Sequence, residues 1–332
     1  MIKDFIRISR SSAIKGACEV SGAKNAVLVI MASTILAAGK SILRNVPVSS
    51  DVLTMIELLE YLGAEIHFDQ EDNRVEIDSS TIVQSEVCPD IMSRMRASFL
   101  VMGPLLARFG RASMALPGGC SIGQRPIDYH LVNFKKMGVV IEEDAHYLRA
   151  TCQQLQARRL VLEYPSVGTT ENVLMAATLT SGTTEIINAA LEPEVQDLID
   201  ILTKMGANIS IQAPATIVVH GVEQLQAVEH SIMADRLEAG SLLLAAAITG
   251  GEISIPNAQP DVMDVFLLKL EQMGHTIITG DDGKGIILQA TDKPQAVSFK
   301  TGPYPGFPTD LQAPMMVAQA LAEGVSIIEE TV

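Results

Sequence analysis

Two landmarks recur along this chain at nearly constant spacing, and that periodicity limits the possible folds more than any single residue does. A helix-like apolar run closes on a glycine at Gly39, Gly110, Gly182, Gly250 and Gly324, with separations of 71, 72, 68 and 74 residues. An amphipathic stretch ending in a glycine before a strand recurs at Gly63, Gly138, Gly206 and Gly274, with separations of 75, 68 and 68. Two independent landmarks sharing one period indicate a repeated supersecondary unit rather than a single continuous sheet or bundle.

Each unit reads as helix, strand, helix, strand, strand. In the first, the pattern predicts a buried helix over 25–38 and a strand over 41–46. An amphipathic helix follows over 51–62, with Val52, Met55, Ile56 and Leu59 on one face, then a β-pair over 64–68 and 74–78. The second helices of units three and four are expected after Leu191–Glu194 and Ala258–Asp261, where proline and an acid suit a helix N-terminus. The closing glycines suit the residue just past a helix end. The fifth unit is expected to begin near Ala313 and to make one strand over Val325–Glu329. Its second landmark would fall roughly 70 residues after Gly274, beyond Val332, so the chain is expected to stop inside a repeat.

With 332 residues, two domains are expected. Hydrophobic residues at 48% and charged residues at 19% describe a well-buried globular chain. No apolar run approaches the roughly 18 residues of a membrane span, and the N-terminal MIKDFIRISR carries no apolar core of a signal peptide. Cys18, Cys88, Cys120 and Cys152 are too widely spaced for a metal or redox motif, which suits a reducing cytoplasm. The six histidines form no metal-binding pair, so no metal is expected. A formal charge of −15 disfavours nucleic acid and anionic membranes as partners, but leaves room for an anionic small molecule if the few cations gather around it.

Chemistry concentrates in Leu116–His130, LPGGCSIGQRPIDYH, which reads as a glycine-rich loop entering a helix. Pro126 suits the first helical position, and Ile127, Leu131, Phe134 and Met137 keep helical spacing. Gly118 and Gly123 have P-loop spacing, but Gln124 and Arg125 stand where lysine and a hydroxyl residue belong, so a nucleotide-hydrolysing loop is rejected. Cys120 reads either as a small buried hydrophobe or as a reactive thiol, exposed by the glycines and activated near Arg125. Lys24 and Asn25 lie where a strand yields to a helix, as anion contacts or as an ordinary cap region. Arg94 and Arg96 open the second unit at the equivalent place, as a phosphate fork or as surface charges. Glu163–Asn172 opens the third with a turn around Pro165, Ser166 and Gly168. Pro314 argues for a helix starting near Ala313, leaving Asp310 in a loop with its carboxylate available as a base.

Taken together, SGAKNA (21–26), MRAS (95–98), LPGGCSIGQRPID (116–128), PSVG (165–168), DRLEAG (235–240) and GFPTD (306–310) closely resemble the enolpyruvyl transferases. The cysteine loop and PSVG resemble the members acting on UDP-N-acetylglucosamine more than those of the shikimate pathway. The resemblance implies an α/β fold, a two-domain inside-out α/β barrel of βαβαββ-type units with helices central and sheets outside. It places 23–231 in the first domain and 1–22 plus 232–332 in an incomplete second, with the last one and a half units missing. The implied reaction is cytoplasmic and needs no cofactor: enolpyruvyl passes from phosphoenolpyruvate to the 3-hydroxyl of UDP-N-acetylglucosamine, phosphate leaves, and peptidoglycan precursor synthesis begins. On the matching positions, Lys24 and Arg125 would hold phosphoenolpyruvate. Asn25, Arg96, Arg125, Pro126, Ile127, Asp128, Tyr129, Tyr164, Pro165, Ser166, Val167, Asp310 and Val332 would line the sugar nucleotide. Asp310 would accept the sugar hydroxyl proton, and Cys120 would protonate the methylene carbon and be open to alkylation by epoxides. Pro314 and Tyr304 depart from the family's usual glutamine and histidine. An inactive truncated paralogue that only binds the sugar nucleotide, and a shikimate-type transferase, are the alternative expectations.

Overall fold

The computed structural model describes residues 6–9, 12–115, 127–144 and 147–332. The first unit comprises β1 (Lys15–Ala17), α1 (Lys24–Ser33), a 3-10 turn (Thr34–Leu36), β2 (Lys40–Arg44), α2 (Ser50–Leu62), β3 (Glu65–Asp69) and β4 (Arg74–Asp78). The second has β5 (Glu86–Val87), α3 (Pro89–Arg94), a 3-10 turn (Arg96–Val101) and α4 (Met102–Phe109). It ends with β6 (Arg111–Ala115), α5 (Asp128–Lys136), β7 (Val140–Glu143) and β8 (Tyr147–Thr151). The third runs β9 (Arg159–Val161), α6 (Val167–Thr178), β10 (Thr183–Ile187), α7 (Pro193–Lys204), β11 (Asn208–Gln212) and β12 (Thr216–His220). The fourth runs β13 (Glu229–Ser231), α8 (Arg236–Ile248), β14 (Glu252–Ile255), α9 (Asp264–Gln272), β15 (Thr276–Thr279) and β16 (Ile286–Gln289). The fifth contains β17 (Phe299–Lys300), α10 (Gln312–Ala320) and β18 (Ile328–Glu329).

One sheet topology serves every complete unit. A short leading strand lies parallel to the first long strand, which pairs antiparallel with the last strand, and the middle strand takes the far edge. This gives the orders β5-β6-β8-β7 and β9-β10-β12-β11. The first and fourth units exchange their leading strands. β13 pairs with β2, placing His230 opposite Leu43, and β1 pairs with β14, placing Gly16 opposite Ile253. The exchange makes one compact unit discontinuous: Met1–Ser21 joins Ala234–Val332, while Gly22–Met233 forms the larger unit.

In the larger unit, helix burial sorts the layers. α1 is buried continuously from Ala26 to Ser33, and α6 from Thr169 to Thr178, so neither has a solvent face. α2 is amphipathic, burying Val52, Met55, Leu58, Leu59 and Leu62. The first helices of the repeats therefore occupy the middle, and the alternating strands lie outside them, with Leu43, Val75 and Ile77 turned inward. Arg108, near the end of α4, donates to the carbonyls of Ile35 at 2.9 Å and Ser79 at 2.8 Å. The C-terminal ends of the first two central helices thus meet, so α1 and α4 run in the same direction.

Several local expectations are corrected. α1 stops at Ser33 rather than continuing to 38, because the Ser33 and Thr34 hydroxyls bond back to the carbonyls of Ile30 and Met31 and tighten the helix into a 3-10 turn. α7 starts at Pro193, within the expected lead-in, and α9 starts at Asp264 behind a 3-10 turn over Pro260–Val262. α10 begins at Gln312, within one residue of the expected Ala313, and holds Pro314 in its first turn, where a backbone N–H has no intrahelical partner to lose. β18 keeps only two paired residues, because its partner β17 is equally short. No helix among the described residues is long and apolar enough to cross a membrane.

Candidate functional site

The sequence-predicted site residues fall on both compact units. In the larger one, Lys24 is the first residue of α1, is about half exposed, and pairs with Asp51 at 3.0 Å in the first turn of α2. Asn25 is exposed beside it. The short extended segment before Lys24 is fixed by Ala23, whose N–H donates to the carbonyl of Met233 at 2.8 Å. Arg96 opens the 3-10 turn at the corresponding point of the second repeat. Arg94, two residues earlier, pairs with Glu57 at 2.6 Å, which raises its guanidinium pKa, so this arginine is committed to a surface ion pair.

The third repeat presents Tyr164, Pro165 and Ser166 just ahead of Val167, the first residue of α6. Ser166 donates its N–H to the carbonyl of Tyr164 at 2.7 Å, and its hydroxyl accepts from the N–H of Thr169 at 3.4 Å. The Leu116–His130 segment is described from Ile127 onward, so Cys120, Arg125 and Pro126 lie outside the described residues. Ile127 caps α5, and Asp128 follows in the first turn, where the helix dipole favours an acid. The helix thus begins two residues after the position Pro126 suggested. Tyr129 is exposed.

His130 connects these segments. Its ring meets the edge of Phe99 with centroids 5.1 Å apart, and its Nδ1 lies 3.2 Å from Asn172 Nδ2. A side chain at Gly168 would come within 3.5 Å of the same ring. Asn172 in turn donates to the carbonyl of Phe99 at 3.0 Å, and its Oδ1 accepts from the N–H of Gly103 at 2.6 Å. The glycine is needed there, since a Cβ would lie 2.2 Å from the Asn172 carbonyl oxygen. The start of α5, the turn opened by Arg96 and the first turns of α6 are consequently packed as one cluster, with α1 against the Arg96 turn.

Sequence reasoning missed His130 and Glu171, and read Asn172 only as the end of a turn-rich stretch. The available signal was Thr169–Asn172, four consecutive polar residues in a helix otherwise polar only at its last residue, Thr178. Burial pushes the Glu171 carboxyl well above the usual carboxylate range, and Glu194 and Glu192 push it further. A raised folded-state value stabilises the fold fully below the ordinary 4.5 and loses that contribution as pH rises through the raised value. Glu171→Gln is therefore expected to gain stability over the parent progressively above about pH 5. Thermal melting across pH tests this; parallel pH dependences for the two proteins would contradict it.

In the smaller unit, Asp310 is exposed in a 3-10 turn, Thr309–Leu311, rather than in the irregular loop expected. Its flanks are anchored: Phe307 stacks 4.2 Å from Phe299, and Leu311 is buried where Gly240 of α8 leaves no Cβ in the way. Asp235 caps α8 by accepting from Leu237 N at 2.8 Å and Glu238 N at 3.1 Å. Val332 is exposed, with its N–H held by Glu330 at 2.9 Å. Among the described residues, no cluster of three His, Cys, Asp or Glu side chains could hold a metal.

Comparison with known proteins agrees with this architecture. The family model described as EPSP synthase (3-phosphoshikimate 1-carboxyvinyltransferase) matches residues 8–332. The chain is 43% identical over 331 residues to UDP-N-acetylglucosamine 1-carboxyvinyltransferase 2 of Staphylococcus saprophyticus subsp. saprophyticus, covering 99% of this chain and 78% of the relative. The crystal structure of the enolpyruvyl transferase NikO from Streptomyces tendae superposes with a TM-score of 0.86 at 23% identity, over 96% of this chain and 75% of that one. EPSP synthase from Acinetobacter baumannii superposes at 0.74 with 18% identity, over 96% and 74%. Those two structures show the fold; the family match and the 43% relative show the lineage, and the chain belongs to the EPSP synthase family of enolpyruvyl transferases.

Proposed function

We propose that this chain transfers the enolpyruvyl group of phosphoenolpyruvate to the 3-hydroxyl of UDP-N-acetylglucosamine, the first committed step of peptidoglycan precursor synthesis, in the cytoplasm. The observation that carries the reading is the 43% identity, over nearly the whole chain, to a relative named for that reaction. The structures at 18% identity lend no comparable weight to a shikimate acceptor.

In this reading, Lys24 and Arg125 bind the phosphate and carboxylate of phosphoenolpyruvate as charge-assisted donors. Asn25, Arg96, Arg125 to Tyr129, Tyr164 to Val167 and Val332 contact the sugar nucleotide. Asp310 takes the proton of the 3-hydroxyl while its oxygen bonds to C2 of phosphoenolpyruvate. Cys120 gives a proton to the methylene carbon, forming a tetrahedral adduct. Loss of a methyl proton then expels phosphate and restores the carbon–carbon double bond.

Phosphate release measured with phosphoenolpyruvate and each acceptor tests the reading. Release is expected with UDP-N-acetylglucosamine and not with shikimate 3-phosphate. The reverse preference, or sugar-nucleotide binding without any release, would overturn it.

A further inference from the structure

We propose that Glu330 is a positioning residue whose carboxylate sets the Asp310 turn and the Val332 segment relative to each other. The inference rests on the roles given above to Asp310 and Val332. One carboxylate oxygen, Oε2, accepts from the Thr309 hydroxyl at 2.9 Å, and Thr309 is the residue directly before Asp310. The other, Oε1, accepts from the Thr301 hydroxyl at 2.7 Å and from the N–H of Val332 at 2.9 Å. A single side chain therefore fastens both site segments of the smaller unit.

The attachment point is itself held firmly. Thr301 is almost fully buried, and its N–H donates to the carbonyl of Glu329 at 2.9 Å. Thr331 returns two bonds to it, N–H to the Thr301 hydroxyl at 2.9 Å and hydroxyl to the Thr301 carbonyl at 2.7 Å. Gly302 then donates to the carbonyl of Phe307 at 3.0 Å, at the base of the Asp310 turn. Desolvation pushes the Glu330 carboxyl up, but the donors from Val332, Thr301, Thr309 and Thr331 outweigh it and hold the group below the usual carboxylate range. The ionised form is thus the one this network is built around. The carboxylate of Glu329, the neighbouring acid, instead forms an exposed ion pair with Lys300 at 3.0 Å.

Thr309 offers the cleanest test, because Thr309→Val removes one hydroxyl while keeping shape, and Thr309→Ser restores that hydroxyl without the methyl. Thr309→Val is expected to lower kcat about tenfold with KM for phosphoenolpyruvate nearly unchanged, and Thr309→Ser to recover most of the rate. Glu330→Ala, which frees both segments, is expected to lower kcat further and also raise KM for UDP-N-acetylglucosamine. Glu329→Gln is expected to leave both constants unaltered. Amide hydrogen exchange reads the same tie without catalysis: exchange at Leu311 should accelerate about tenfold or more in Thr309→Val and Glu330→Ala. If the parent chain transfers nothing, the functional reading fails on its own, and Leu311 exchange still decides the tie. Unchanged exchange in both variants overturns the proposal. So does accelerated exchange with an unchanged kcat in an active enzyme, or a Thr309→Ser rate as low as that of Thr309→Val.

Discussion

Asp310→Asn is expected to reduce kcat for enolpyruvyl transfer by about 10²- to 10⁴-fold, the range general-base catalysis contributes. Asparagine keeps the size and planarity of the side chain, so the turn, which rests on buried Phe307 and Leu311 and on Thr309, should not move. Only the proton acceptor is lost. Asp310 is exposed, so its replacement strands no buried partner, and the melting temperature should stay where it was. Steady-state rates at saturating substrates, read beside thermal melts, make the comparison. A loss under about threefold would remove Asp310 from the base role.

The second large effect is structural. Asn172→Leu is expected to destabilise the larger unit by roughly 3 kcal/mol or more, since each stranded buried group costs about 1–3 kcal/mol. The substitution leaves the Gly103 N–H, the Phe99 carbonyl and the His130 ring nitrogen without the bonds Asn172 supplies. Leucine also brings branched carbon against a helix crossing so tight that Gly103 has no space for a Cβ. Because the same side chain joins the starts of α5, α6 and the Arg96 turn, affinity for the sugar nucleotide should fall along with stability. Urea unfolding gives the first quantity and calorimetric titration the second. A stability change under about 1 kcal/mol would show that the cluster has other supports.

Much of the fold was legible because the repeat is written in glycines. All nine landmark glycines have positive φ, but only Gly63 and Gly110 cap their helices, and Gly138, Gly206, Gly250 and Gly274 directly follow a cap. Gly39, Gly182 and Gly324 sit in the turns beyond the helix caps. Burial periodicity also separated the all-round apolar α1 from the one-sided α2. The exchange of β1 and β13 leaves no mark in the periodicity, since three-residue strands carry almost no periodic signal and their pairing is long-range; only the family resemblance had grouped 1–22 with 232–332. The 3-10 turn holding Asp310 was not legible, because Pro314 signals only the start of the α-helix that follows it. Among the candidate site residues, Lys24 and Arg96 stood out by their charge near the start of a helix or turn. Glu171, His130 and Glu330 did not, because Glu171 and His130 act through burial and Glu330 through partners 21 and 29 residues away.

The most direct test of the assigned reaction is to identify the product rather than the released phosphate. The purified chain, incubated with phosphoenolpyruvate and UDP-N-acetylglucosamine, should yield a sugar nucleotide with two new vinylic protons and a carboxylate, the enol ether at the 3-oxygen, seen by proton NMR. Cys120→Ala should abolish those signals while sugar-nucleotide binding persists. An unchanged UDP-N-acetylglucosamine spectrum from folded, substrate-binding enzyme would contradict the assignment.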